Sequence, residues 1–241
     1  MNDEENGWSQ SAPAWIESQG SEGDFSREFV LDPAIDTLMA GRRFDQALDV
    51  GCGEGRFCRR MRTRYGIASV TGIDPTEPLL AAARTRDPQG TYLKADAEAL
   101  PFPDQSFDLV VSYLSLIDIP DLPQAISEMA RVLRPKGTLL IANLNSFITA
   151  CGGTAWVKDG AGRKQFVRVD RYLEDHADWQ AWRGIRILNH HRPMSRYMTL
   201  LLAAGLQLVR FEEPPAIGGP PPAREAYNRV PYAHLMEWTK P

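Results

Sequence analysis

The residues best equipped for chemistry in this sequence lie between positions 49 and 97. A glycine-rich loop, Gly51-Cys52-Gly53-Glu54-Gly55, follows the short apolar run 46–50. Glycines at such positions let the backbone turn sharply and approach a ligand with no Cβ atoms in the way. About 20 residues further on comes Asp74-Pro75, and a carboxylate there can accept both hydroxyls of a ribose. A second acid, Asp96, can take the exocyclic amine of an adenine, while the N–H of Ala97 meets a ring nitrogen. Taken together, these residues read as a nucleoside site.

Two details narrow the ligand. A dinucleotide loop of the form G-x-G-x-x-G needs its last glycine for close contact of helix and strand beside the pyrophosphate. Here that position is Arg56. A phosphate-cradling P-loop would continue into Gly-Lys-Ser/Thr, and no such run follows. A nucleoside with an amino-acid tail in place of phosphates suits the loop better.

Composition restricts the partners. The chain has 241 residues, 43% of them hydrophobic and 24% charged, enough to bury the core of one enlarged domain. A formal net charge of −4 argues against nucleic acid as a partner, since phosphate binding needs a basic footprint. Arg56, Arg59, Arg60, Arg62 and Arg64 are the local exception; on a helix they flank a buried stripe of Phe57, Met61 and Tyr65. No run is apolar for long enough to span a bilayer, so no membrane partner is expected. The polar, acidic start is unlike a secretory signal or a transit peptide. Cys52, Cys58 and Cys151 are an odd number without metal-ligand spacing, which suits a reducing, cytoplasmic setting.

The elements that must position these residues alternate. Strands are predicted at 46–50, 69–73, 91–94, 107–112 and 138–142, separated by helices at 56–65, 77–86 and 122–133. Near-continuous apolar strands separated by helices imply a parallel sheet covered on both faces. The rhythm breaks over 144–192, read as an insertion above the carboxyl end of the sheet, with Gly152, Gly153, Gly160 and Gly162 and then Tyr172, His176, Trp179 and Trp182. It resumes with a helix at 193–204 and a strand at 206–211. The stretch 214–222 reads as a rigid proline loop and 233–238 as a last strand. Residues 1–23 are polar apart from Trp8, Trp15 and Ile16, and gain order only by docking on something else.

The segments 49–55 (DVGCGEG), 72–74 (GID), 94–97 (KADA), 100–102 (LPF), 107–112 (FDLVVS) and 133–137 (LRPKG) occur in the order seen in class I S-adenosylmethionine-dependent methyltransferases. The chain resembles the small-molecule type 11 branch of that superfamily. The resemblance implies an α/β, doubly wound, Rossmann-like fold: a seven-stranded, mainly parallel sheet with an antiparallel last strand and helices on both faces. It implies S-adenosyl-L-methionine as cofactor. Gly51, Cys52, Gly53 and Gly55 would face its methionine part, Asp74 and Pro75 the ribose, and Asp96 and Ala97 the adenine. Ser112 and Tyr113 would lie beside the sulfonium. The N-terminal segment 1–44 would act as a lid, and its Arg27 would pair with the methionine carboxylate. The stretch Leu116-Ile117-Asp118-Ile119 departs from many members, which carry histidines near there, and this argues against an acid/base role for the loop.

The activity so implied is in-line methyl transfer to a small, partly apolar metabolite by one domain, monomeric or homodimeric. The alternatives are an RNA or protein methyltransferase, supported by the arginine-rich helix alone, and a non-catalytic cofactor-binding module. A general base is needed only if the acceptor must lose a proton. His191 is the candidate, with His190 behind it. Neighbours on an extended chain point to opposite faces, so at most one enters the pocket, which also argues against a His-His metal pair. Tyr113, Tyr172, Trp179 and Trp182 could line an apolar acceptor pocket.

Overall fold

A computed structural model describes residues 6–20, 22–151 and 156–241 of the chain. Residues 1–5, Ser21 and the stretch 152–155, with Gly152 and Gly153, lie outside the described residues. The chain opens with helix α1 (Trp8–Gln19), a π-helical turn (Arg27–Leu31) and α2 (Asp32–Met39). Then the alternation sets in: β1 (Gln46–Val50), α3 (Arg56–Tyr65), β2 (Ser69–Asp74), α4 (Glu77–Arg86), β3 (Thr91–Lys94), β4 (Phe107–Tyr113), α5 (Leu122–Val132) and β5 (Leu133–Leu144). After a short α6 (Ser146–Thr149) the insertion forms two hairpins, β6 (Trp156–Lys158) with β7 (Lys164–Val167), and β8 (His176–Trp182) with β9 (Ile185–His191). The chain closes with α7 (Met194–Ala203), β10 (Gln207–Glu212), α8 (Pro221–Arg229) and β11 (Ala233–Thr239).

Seven strands form one sheet in the order β10-β11-β5-β4-β1-β2-β3. β11 runs antiparallel between β10 and β5, and the remaining pairings are parallel. This is the doubly wound sheet with an antiparallel last strand expected from the sequence. The core sits on both faces because side chains alternate along each strand. Leu48, Val50, Val110, Leu139, Ile141, Met236 and Trp238 pack against Ile126 and Met129 of α5 and Tyr197 and Leu201 of α7. Ala47, Leu109, Val111, Leu140 and Leu235 face the other way, against Ile35, Leu38, Phe57, Met61 and Leu80.

Strand order reverses beside β1. The chain moves outward from β1 to β2 and β3, then returns to β4 on the opposite side. The connections after β1 and β4 therefore diverge at the carboxyl end of the sheet and leave a crevice there, where ligands of such folds bind.

Local chemistry explains the ends of the flanking helices. Asp121 caps α5 by accepting from Gln124 N–H at 3.0 Å, and Pro123 sits in its first turn. The far end of α5 is held by Lys240, whose ammonium donates to Ala130 and Leu133 carbonyls at 2.8 and 2.9 Å. One expectation changes. The proline loop gives way at Pro221 to helix α8, because proline is tolerated where the first N–H has no helical partner. The early segment holds a helix, α1, ordered by docking: Ser11 Oγ and Arg186 of β9 exchange hydrogen bonds at 2.9 and 3.0 Å, and Leu188 N–H donates to Asn6 O at 2.9 Å.

Candidate active site

The loop leaving β1 is fixed from below by the neighbouring strand. Gly51 and Cys52 N–H both donate to Ile73 O at 2.9 Å. Gly51 takes φ +76°, and a Cβ there would lie 2.4 Å from Cβ of Ser115, so glycine is needed twice over. Ser115 Oγ in turn donates to Val50 O at 2.6 Å and shares a 2.7 Å hydrogen bond with Ser112 Oγ. The loops after β1 and β4 thus lock together at the mouth of the crevice.

Asp74 ends β2 nearly buried. Its two oxygens accept from Gly53 N–H at 2.9 Å and Thr76 N–H at 2.8 Å, which aims the carboxylate across the crevice. Asp49 lies deeper. One oxygen accepts from the Cys58 thiol at 3.3 Å, and the other has no partner among the described residues although it is buried. Burial, reinforced by the charges of Asp74 and Glu54, pushes its carboxyl up to about 7. A buried acceptor oxygen of this kind favours a cationic ligand group.

One cavity of about 780 Å³ unites these residues. At one end its wall is built from Asp49, Gly51, Cys52, Gly53, Asp74, Pro75, Asp96 and Ala97. The other end belongs to Trp8, Trp15 and Gln19 of α1, Ile117 and Asp118 after β4, Trp182, Ile187 and Asn189 of the β8–β9 hairpin, and Tyr232. Arg27 lines the cavity too. Nearly buried, it pairs with Asp24 at 2.7 Å and stacks 5.0 Å from the Trp15 ring and 5.8 Å from that of Tyr113.

Most of the cofactor residues singled out from the sequence converge on this cavity, but several candidates do not. Gly55 starts α3 at φ +77°, where a Cβ would strike the ring of Tyr92; it serves the turn and does not line the cavity. Ser112 is fully buried, its hydroxyl spent on Ser115, and only its neighbour Tyr113 reaches the wall. His191 must also be corrected. Its Nδ1 shares a 2.7 Å hydrogen bond with the Thr149 hydroxyl, its Nε2 bonds Tyr172 O at 2.9 Å, and the ring packs between Tyr172 and His176 away from the cavity. Nor does His190 reach the cavity; burial and the Arg192 charge lower its pKa to about 4, which keeps it neutral. Of the aromatic candidates, Tyr113 and Trp182 line the wall, whereas Tyr172 covers His191 and Trp179 lies 3.8 Å under the Arg186 guanidinium.

Asp118, in the loop whose sequence argued against an acid/base role, lines the cavity as well. Its only signal was a single acid inside the apolar run LSLIDI. Asn189 Nδ2 donates to it at 2.5 Å, the Trp8 indole N–H donates as well, and burial raises its carboxyl to about 8. The loop that carries it is pinned by Arg192, which donates to the carbonyls of Leu116, Ile119 and Pro120 at 3.0, 2.6 and 2.9 Å.

The arginines of α3 are engaged with acids. Arg56 and Arg60 meet Asp32, Arg59 meets Glu54, Arg60 and Arg64 meet Asp36, and Arg62 meets Asp87. No helix of the described residues is long and apolar enough to cross a membrane.

Comparison with known proteins agrees with this geometry. Residues 48–141 match the family described as "Methyltransferase domain". The chain is 35% identical over 177 residues to malonyl-[acyl-carrier protein] O-methyltransferase of Salmonella typhimurium, a match covering 71% of this chain and 66% of that protein. It is 40% identical over 112 residues to 27-O-demethylrifamycin SV methyltransferase of Amycolatopsis mediterranei, covering 44% of this chain and 41% of the other. The chain thus spans less than two thirds of either relative. Among solved structures, an S-adenosylmethionine-dependent methyltransferase from Mesorhizobium loti superimposes with a TM-score of 0.78 at 26% identity, over 92% of this chain and 100% of that one.

Proposed function

Because the chain belongs to the type 11 branch of the class I S-adenosylmethionine-dependent methyltransferases, we propose that it methylates a small, partly apolar metabolite at the cavity described above. The observation that carries this reading is the continuity of that cavity, which joins a polar nucleoside end to a wall of Trp8, Trp15, Trp182 and Ile187. A methyl group and its acceptor have to share one enclosed space for direct transfer.

The residues suit the donor. S-adenosylmethionine, when bound, supplies a methyl carbon already activated by its sulfonium. In this reading Asp74 accepts the ribose hydroxyls, Asp96 takes the adenine amine and the Ala97 N–H a ring nitrogen. The unpartnered oxygen of Asp49 accepts the α-ammonium, and Arg27 faces the α-carboxylate. The bare backbone at Gly51 and Gly53 leaves room for the methionine chain between them. α1 and the β8–β9 hairpin cover the acceptor and keep water out. Holding an acceptor lone pair in line with an activated carbon can contribute up to ~7–11 kcal/mol.

Pairing of the α3 arginines with Asp32, Asp36, Glu54 and Asp87 supports a small acceptor over RNA, because a phosphate backbone needs unpaired cations. The experiment that tests the donor site is calorimetric titration of S-adenosylhomocysteine into wild type and Asp74→Ala. The variant is expected to bind about 1–3 kcal/mol more weakly, the loss of a charged acceptor. A folded variant with unchanged affinity contradicts the assignment.

A further inference from the structure

We infer that Asp118 is the base that receives the acceptor's proton, and that the acceptor therefore presents a hydroxyl group and not a carboxylate. The inference rests on the methyltransferase reading and deepens it.

The other carboxylates on the cavity wall have evident duties. Asp24 pairs with Arg27, Glu54 with Arg59 and Arg86, Asp121 caps α5, and Glu98 accepts from Asp121 N–H at 3.4 Å. Asp74 and Asp96 are assigned to the nucleoside, and Asp49, bonded to Cys58 through one oxygen, to the donor's ammonium. Asp118 follows Ile117 and precedes Ile119 in the chain, and lines the cavity together with Trp8, Ile187 and Asn189. No lysine or arginine among the described residues forms an ion pair with it.

The groups that face it come from every element around it. Trp8 of α1 and Asn189 of β9 donate neutral hydrogen bonds, Asp74 at the end of β2 raises its proton affinity, and Arg27 on the π-helical turn lowers it from a distance. Burial dominates, leaving a carboxyl that titrates at about 8. An ordinary aspartate near 3.9 is too weak a base for a hydroxyl, whereas one near the working pH combines proton affinity with a useful ionised fraction.

The carboxylate is also held still. Asp118 N–H donates to Ser115 O at 2.9 Å, His190 N–H to Ile117 O at 2.6 Å, and Arg192 grips three carbonyls around it. Such a support fixes a reacting group without cost at the moment of reaction. A carboxylate acceptor would have no proton to give. A hydroxyl acceptor has both the proton and the need to lose it. As its oxygen bonds to the methyl carbon, its proton passes to Asp118. The carbon–sulfur bond of the donor breaks with its electron pair left on sulfur, so sulfonium and carboxylate are neutralised together.

The test uses the full-length protein, S-adenosyl-[methyl-¹⁴C]methionine and a small-molecule extract of cells as acceptor source, with wild type and Asp118→Asn compared. Asparagine keeps the shape, and its one amide oxygen can still accept from Asn189. Transferred label is expected to survive hot alkali, as an ether does, where a methyl ester releases volatile methanol. The variant is expected to transfer at least about 100-fold more slowly while binding S-adenosylhomocysteine within about twofold of wild type. Wild-type transfer should rise with pH through about 8, and the variant should lose that limb. In the free protein, a ¹³C-labelled aspartate carboxyl absent from the variant should titrate near pH 8. Alkali-labile label, a variant within threefold of wild type, or an Asp118 resonance titrating below pH 5 overturns the assignment. Failure of the wild type to bind S-adenosylhomocysteine at all instead overturns the donor site itself, so the two failures are distinct.

Discussion

At the scale of single residues, the cavity separates groups that bind from groups that only support. His191 is the clearest supporting case. Both ring nitrogens are committed, to Thr149 and Tyr172, and burial lowers its pKa, so it stays neutral and structural. His191→Ala is expected to leave methyl transfer within about threefold of wild type while lowering unfolding free energy by about 1–3 kcal/mol, the cost of a buried Thr149 hydroxyl and Tyr172 carbonyl left unpaired. Paired kinetic assays and urea titrations check this; a hundredfold loss of rate in a stable variant would return His191 to the chemistry. The sequence could not separate His191 from Asp118. Alternation along β9 allows one of the two adjacent histidines to face inward, but inward at that strand end means toward Thr149 and Tyr172. Asp118 depends on contacts with Trp8 and Asn189, which lie far from it in the chain and meet it only in the folded protein.

Among elements, the interlock between the loops after β1 and β4 decides whether the site exists. Gly51→Ala places a methyl against Ser115 Cβ and forces an alanine to φ +76°. That substitution is expected to abolish measurable S-adenosylhomocysteine binding, with calorimetry as the check and near-wild-type affinity as the contrary result. Arg192 does the same service for the stretch 116–120. Arg192→Met leaves three carbonyl acceptors without their donor and is expected to cost about 3 kcal/mol or more in urea unfolding. The sheet was legible from sequence because each strand is a short apolar run and each helix has a recognisable stop. The insertion was not. Its hairpins are half exposed and irregular in composition; β8–β9 docks on α1 and β6–β7 on Arg229 of α8, long-range contacts that no local pattern encodes. The same holds for α8, which starts within a run of prolines that read as loop.

For the whole molecule, two buried carboxyls couple stability to ligand and pH. Asp49 and Asp118 hold protons in the folded state up to about 7 and 8, whereas unfolded aspartate loses its proton near 3.9. Between those values the folded chain binds more protons than the unfolded one, so the contribution of these groups to stability falls as pH rises from about 4 to 8. The slope approaches roughly 1.4 kcal/mol per pH unit for each full proton. His190 and His234, lowered to about 4 by burial, and His191 act in the opposite sense below about 6.5. The melting temperature of the ligand-free protein should therefore decline between about 6.5 and 8, and less steeply in Asp49→Asn. Since the ionised form of Asp49 is the one that would accept an ammonium, S-adenosylhomocysteine should bind more tightly as pH rises through about 7 and raise the melting temperature most at pH 8. A slope of opposite sign would contradict both assignments.

The central claim is that this one cavity brings methyl donor and acceptor together. It is tested most directly by incubating the protein with S-adenosylmethionine and fractions of a small-molecule extract, and following S-adenosylhomocysteine by mass spectrometry. S-adenosylhomocysteine should form catalytically in at least one fraction, in step with a product heavier by one methyl group in place of hydrogen, and neither should form with Gly51→Ala. A protein that binds S-adenosylhomocysteine yet forms none of it with any fraction would contradict the account.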